Sequence, residues 1–197
     1  MKAVVLDFGA PVVVSPWELL HRLDRPVRWP GPWGEDPLYA AAPDDKAYWA
    51  SRAAELGLPD ERALIRLLFE GPDEGELIRP QAWNLATAAR AAGIAVAVLS
   101  NDLGNYHPPE WIERISWLRE VDVLVDSYET GVRKPDPAAY RAVLDRLGVA
   151  APDALFVDDL ERNCAGARAV GMPALRFDVT DPAGSYTAIR RRLGLAA

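Results

Sequence analysis

The sequence predicts an α/β fold in which a parallel sheet is covered by helices on both faces. Five short apolar runs recur along the chain, and most are continuous rather than alternating, as strands buried on both faces require. Stretches with apolar residues at helical spacing separate these runs, so strand and helix alternate, which implies parallel strands joined by right-handed crossovers. Four of the runs end in polar or acidic clusters, which places those clusters at strand carboxyl ends.

The first strand, residues 4–6 within KAVVLDFG, delivers Asp7 to its carboxyl end, where open α/β sheets place ligands in a crevice. Ala10 and Pro11 open a turn, and residues 12–14 continue an apolar segment away from the strand. From residue 15 to residue 79 the composition shifts towards Trp, Pro and charged side chains. A short helix at 17–23, an irregular Pro- and Gly-rich loop at 26–37, and helices at 44–56 and 60–69 with acidic start signals make this a small helical insertion. Pro80 begins an Ala-rich helix over 80–92 that Gly93 stops. The second strand, 94–99, runs into Ser100, Asn101 and Asp102. A helix over 108–118 precedes the third strand, 121–125, which leads to Asp126, Ser127 and Tyr128. The loop ETGVRKPDP then carries Lys134 towards a helix over 138–147 ended by Gly148. The fourth strand, 154–157, ends in Asp158 and Asp159. A helix over 161–170, a fifth strand over 173–177 and a final helix over 186–193 complete the chain. The resulting organisation is a core of residues 1–14 and 80–197 with a cap of residues 15–79.

Composition narrows the function. With 197 residues, 50% of them hydrophobic and 26% charged, the chain can bury one substantial core without covalent staples. A net charge of −7, with Arg190, Arg191 and Arg192 as the only basic run, argues against a nucleic-acid partner. The single Cys164 excludes an internal disulfide and suits a reducing compartment. No stretch approaches the roughly 20 apolar residues of a membrane span, and no signal peptide is recognisable, so a cytoplasmic protein is expected.

Asp7, Ser100, Lys134 and the pair Asp158 and Asp159 all fall at or just beyond strand carboxyl ends and can converge on one crevice. Singly, each is ordinary turn or cap chemistry. Together, a carboxylate nucleophile, a hydroxyl, a lysine and an acidic pair suit phosphoryl transfer, in which a protein mainly positions groups and neutralises charge. An acidic pair beside a further carboxylate also suits Mg²⁺, a hard cation that takes oxygen ligands.

The motifs that contain these residues resemble those of the haloacid dehalogenase-like hydrolase superfamily. LDFGAP resembles the first motif, LSND the second, GVRKPDPAAY the third and FVDDLERNCAGARAVGM the fourth, so the resemblance covers residues 2 to about 178. It implies a Rossmann-like three-layer sandwich with a small α-helical cap inserted after the first strand, and a hydrolase acting on a small phosphorylated metabolite. It also implies Asp7 as the nucleophile that forms an aspartyl-phosphate. Ser100, Asn101 and Lys134 would bind substrate, with Lys134 also catalytic, and Mg²⁺ would be held by Asp7, the Gly9 carbonyl, Asp158 and Asp159. Asn163 and Gly166 are then structural, and Cys164 is a small core residue.

Gly9 departs from the pattern, because phosphatases of the superfamily usually carry a second Asp there as general acid and base. A positioned acid contributes about 10²–10⁴ in rate, so weak turnover is expected unless another group, such as Glu18, His21 or Asp24 of the cap, supplies the proton. Trp17, Trp29 and Trp33 with Arg22, Arg25 and Arg28 offer a wall for a sugar phosphate. Two alternatives stand beside this reading: a binding or regulatory protein that has lost turnover, and a haloacid dehalogenase. His107 is read as a loop residue.

Overall fold

A computed structural model of the chain describes residues 1–20, 22 and 45–196. Five parallel strands form one sheet: β1 (Ala3–Leu6), β2 (Ala95–Ser100), β3 (Val123–Asp126), β4 (Ala154–Asp158) and β5 (Ala174–Arg176), in the order β3-β2-β1-β4-β5. The first crossovers run outward from β1 through β2 to β3, and the chain then returns to the other flank of β1 as β4. That reversal is the topological switch point at which open sheets part to form a crevice.

Alternate side chains of each strand enter two separate cores, as a period of two demands. Val4 and Leu6 of β1, Val96 and Val98 of β2, and Leu155 and Val157 of β4 face one core. Ala3, Val5, Ala97, Leu99, Ala154 and Phe156 face the other. The second face is covered by α9 (Pro137–Leu147) and α10 (Glu161–Ala169), through Tyr140, Val143 and Ala167. The first is covered by α5 (Pro80–Ala91) and α11 (Pro182–Leu193), through Leu85, Ala89, Tyr186 and Ile189. This is the three-layer sandwich read from the sequence.

Among the described residues between β1 and α5 are four short helices: α1 (Pro16–Leu20), α2 (Asp45–Glu55), α3 (Glu61–Phe69) and α4 (Glu74–Leu77). Their buried residues, among them Trp17, Tyr48, Trp49, Leu64 and Leu68, belong to the same apolar cluster as Val4 and Leu6, so the described insertion shares its core with the sheet. Trp17 packs on Tyr48 and Trp49 at ring separations of 6.2 and 5.0 Å and donates its indole N–H to the Tyr48 hydroxyl. The insertion is closed at its root. Val13 bridges Ile78 in antiparallel fashion, and the N–H groups of Val14 and Arg79 donate to the carbonyls of Leu77 and Val12.

Several boundaries differ from the sequence reading. The segment 108–118 is broken into α7 (Pro109–Arg114) and a 3₁₀ turn (Ser116–Glu120), because the fully buried Ile115 between them adopts an extended backbone. The last helix starts at Pro182, with Asp181 capping it through the N–H of Gly184, rather than at residue 186. The one-turn helices α4, α6 (Leu103–Tyr106) and α8 (Ser127–Thr130) were not foreseen. No helix among the described residues is long and apolar enough to cross a membrane.

Candidate active site

Strand register builds the site. Leu6 of β1 aligns with Val98 of β2 and Val157 of β4, so Asp7 emerges beside Asp158 across the switch point, and the N–H of Asp7 donates to the Val157 carbonyl at 2.8 Å. Asp7 caps the tight turn Phe8–Val12: its Oδ2 accepts from the N–H of Gly9 at 2.8 Å. Its other oxygen, Oδ1, receives the ammonium of Lys134 at 2.5 Å, and the same Nζ reaches Asp158 Oδ2 at 2.9 Å. Two carboxylates at adjacent strand ends are thus bridged by one buried lysine.

That lysine is placed by its backbone. Asn101, one residue past β2, accepts the Lys134 N–H at 2.7 Å through Oδ1 and donates to the Lys134 carbonyl at 3.1 Å through Nδ2. The Asn101 amide is therefore committed at both ends to the lysine loop, although the residue still lines the crevice. Gly166 fixes the loop from the other side. A β-carbon there would lie 2.7 Å from the Tyr140 hydroxyl and 2.9 Å from the Pro135 carbonyl oxygen, so only glycine lets α10 approach this closely.

Asp158 is fully buried. It accepts from the N–H of Leu160 at 2.9 Å and from the Asn163 amide at 3.1 and 3.0 Å on its two oxygens. Burial pushes its carboxyl above the ordinary range, and Lys134 pulls it back only in part. Asp159 is held well above that range by burial and by the adjacent Asp158 and Asp7. For Lys134, burial opposes the charge, yet Asp158 and Asp7 together outweigh it and keep the ammonium firmly protonated. Ligand oxygens of Asp7, Asp158 and Asp159 come within 4.8 Å of one another and the Lys134 ammonium contacts the first two, so three carboxyl groups share this site with one cation among the described residues. The buried Asn163 Oδ1 has no hydrogen-bond partner among the described residues. This donor set, oxygen-only and anionic, fits a hard divalent cation.

Ser100 closes the floor of the crevice. Its Oγ accepts from the N–H groups of Asp102 and Leu103 at 3.3 and 3.2 Å, which leaves its own O–H free to be donated. Asp102 is engaged by Arg133 in a two-pronged ion pair, with both contacts at 2.5 Å. Cys164 is buried beside the Asp158 carbonyl, and burial pushes its thiol up to about 12, so it is no nucleophile.

Above this floor lies a cavity of about 150 Å³ whose wall includes Asp7, Gly9, Ser100, Asn101, Lys134 and Asn163. Asp158 and Asp159 are not among the described lining residues. Trp49, Ile65, Phe69 and His107 also line the cavity. The sequence places His107 in a loop, with lining of the crevice as the lesser alternative, and the structure shows both. Its ring stacks on Trp111 at 3.8 Å and meets Phe69 edge-on at 5.3 Å. Burial lowers its pKa to about 4, so the imidazole is neutral at physiological pH. The aromatic spacing of Phe69, His107 and Trp111 gave no signal in sequence, since the first of them lies about 40 residues from the other two.

Of the side chains offered as substitute acids, Glu18 is held by Arg79 through contacts of 3.1 and 2.5 Å and does not line the cavity. His21 and Asp24 lie outside the described residues, as do Trp29, Trp33, Arg25 and Arg28. Trp17 is packed inside the core, and Arg22 borders a separate surface depression with Arg79.

A family sequence model described as haloacid dehalogenase-like hydrolase matches residues 30–171. Phosphatase MT3486 of Mycobacterium tuberculosis is 34% identical over 128 residues, 65% of this chain and 58% of that protein. A phosphoglycolate phosphatase of Rhodospirillum rubrum is 37% identical over 109 residues, 53% of this chain and 43% of that protein. The chain thus spans about half the length of these curated relatives. Among solved structures, an HAD phosphatase from Thermococcus onnurineus superposes with a TM-score of 0.59 at 18% identity, covering 98% of both chains.

Proposed function

The chain belongs to the haloacid dehalogenase-like hydrolases, and on that premise we propose that it is a Mg²⁺-dependent phosphomonoesterase acting on a small phosphorylated metabolite in the cytoplasm. The observation that most supports this is the bridging of Asp7 and Asp158 by Lys134 at 2.5 and 2.9 Å within a cluster of three carboxylates. Asp7, oriented by the Gly9 N–H and by Lys134, attacks phosphorus to give an aspartyl-phosphate as the ester oxygen departs, and water then releases phosphate. Ser100 donates its hydroxyl proton to a phosphate oxygen, and Lys134 offsets charge on the transferring group. Asp7, the Gly9 carbonyl, Asp158 and Asp159 would hold Mg²⁺, which when bound neutralises phosphate and carboxylate charge. Asn101 acts through the lysine loop that it grips from both ends.

The carboxylate excess also favours this reading over metal-free attack on a haloacid, for which concentrated negative charge is a disadvantage. The test is phosphate release from a panel of esters in Mg²⁺ or EDTA. Release should depend on the metal and vanish in Asp7→Asn. Halide release from a 2-haloacid that persists in EDTA, or phosphate release undiminished in Asp7→Asn, would refute the reading.

A further inference from the structure

Rings make up much of the apolar lining of the cavity. Phe8, Trp49, Phe69, Tyr106 and His107 all line it, and among the described lining residues the only charged side chains are Asp7, Asp102 and Lys134, all at the floor or its edge. The wall is also prebuilt. Trp111 donates its indole N–H to the Phe69 carbonyl at 3.0 Å, stacks beneath His107, and meets Phe8 edge-on at 6.3 Å. Such a surface gives offset or edge-on contacts to a planar group and offers little to a chain of hydroxyls, whose lost water would go unreplaced. At about 150 Å³ the space is also well below the ~300–1,000 Å³ of drug-sized sites. Independently, Gly9 supplies no acid to the departing oxygen, so the ester P–O bond must break with the electron pair left on an oxygen that tolerates it. That oxygen later takes its proton from water.

We infer that the substrate is a monophosphate ester of a small, planar, weakly basic leaving group, an aryl or enol phosphate, whose organic part seats against Phe69, His107 and Trp49. The inference rests on the phosphomonoesterase reading and adds the class of its substrate. Binding of phosphonates in Mg²⁺, measured by calorimetry, separates recognition from turnover because no bond breaks. Phenylphosphonate should bind about tenfold or more tightly than 2,3-dihydroxypropylphosphonate. Phe69→Leu and His107→Ala, checked for folding by circular dichroism, should lower the affinity for phenylphosphonate more than that for inorganic phosphate. Equal affinities for the two phosphonates, or a preference for the hydroxylated one, would overturn the inference while leaving the phosphatase reading standing if esters are hydrolysed. Preference for phenylphosphonate without hydrolysis of any ester would sink the phosphatase reading and keep the binding class. Failure to bind either phosphonate or inorganic phosphate would overturn both.

Discussion

Replacing Lys134 by Met keeps much of the side chain's volume and removes the one cation between Asp7 and Asp158. Both contacts, at 2.5 and 2.9 Å, involve a side chain only 1% exposed. Coulomb's law with an effective dielectric of about 20 gives roughly 6 kcal/mol of attraction for each contact. Desolvation of the ammonium offsets much of that, and removal of one member of a buried pair costs about 3–5 kcal/mol, because the charges left behind lose their partner. At about 2–4 °C per kcal/mol for a chain of this size, the melting temperature of Lys134→Met in EDTA at pH 7.5 should fall by about 6–20 °C. The double variant Lys134→Met with Asp158→Asn should recover about 1 kcal/mol or more relative to the sum of the single losses, since it deletes one stranded carboxylate. Millimolar Mg²⁺ should restore part of the single variant's loss. Thermal melts followed by circular dichroism supply all of these values. A single variant within about 2 °C of the parent in EDTA, or a double variant with strictly additive loss, would refute the view that the three charges act as a unit.

Gly9→Asp should install the missing acid and raise kcat/KM for alkyl phosphates by up to about 10²–10⁴, with little gain for phenyl phosphate. The new β-carbon would lie 2.9 Å from Asp7 Oδ2, which must rotate, so loss of activity on both esters would show that Gly9 is needed for Asp7's orientation instead. His107, neutral when folded with a pKa near 4 against 6.5 in a free chain, resists protonation as pH falls through that window. The folded state therefore loses stability between pH 6.5 and 4, by about 2 kcal/mol after allowance for the ring's partial exposure. His107→Phe should flatten that part of a denaturant-derived stability profile, and an unchanged slope would count against it. Gly166→Ala should cost about 1–2 kcal/mol despite alanine's better helix propensity, because its methyl group meets Pro135 and Tyr140. It should also lower kcat by displacing Lys134, and a neutral effect on both would remove Gly166 from the account.

The five strands were legible because their apolar runs are short and bounded by polar clusters, and the crevice followed from where those clusters fall. Asp7, Ser100, Lys134, Asp158 and Asp159 could be picked out from that placement together with their joint occurrence in motifs that resemble those of the superfamily. What sequence could not convey is which partner each side chain takes across the fold. Asn101 reads as a substrate contact and lines the crevice, but its amide also holds both backbone groups of Lys134, a pairing 33 residues apart that sequence does not show. Glu18 looked available until Arg79, 61 residues on, was seen to hold it. His107 carried no pattern, since its meaning comes from Trp111 below it and Phe69 beside it. The one-turn helices were missed because segments of four residues carry no periodicity, and tertiary contacts alone decide them.

The sharing of one apolar cluster between the sheet and helices α1 to α4 has a practical consequence for anyone who wishes to dissect the molecule. Excising the insertion would leave α5 and α11 over β1 but strip Val13 and Val14 of their partners Ile78 and Leu77 and open the shared cluster, so a shortened core should aggregate rather than serve as a minimal catalyst. Access to Asp7 should likewise come from small local adjustments of rings and loops, because swinging these helices away as a block would expose Trp17, Leu64 and Leu68, which are buried in the shared cluster.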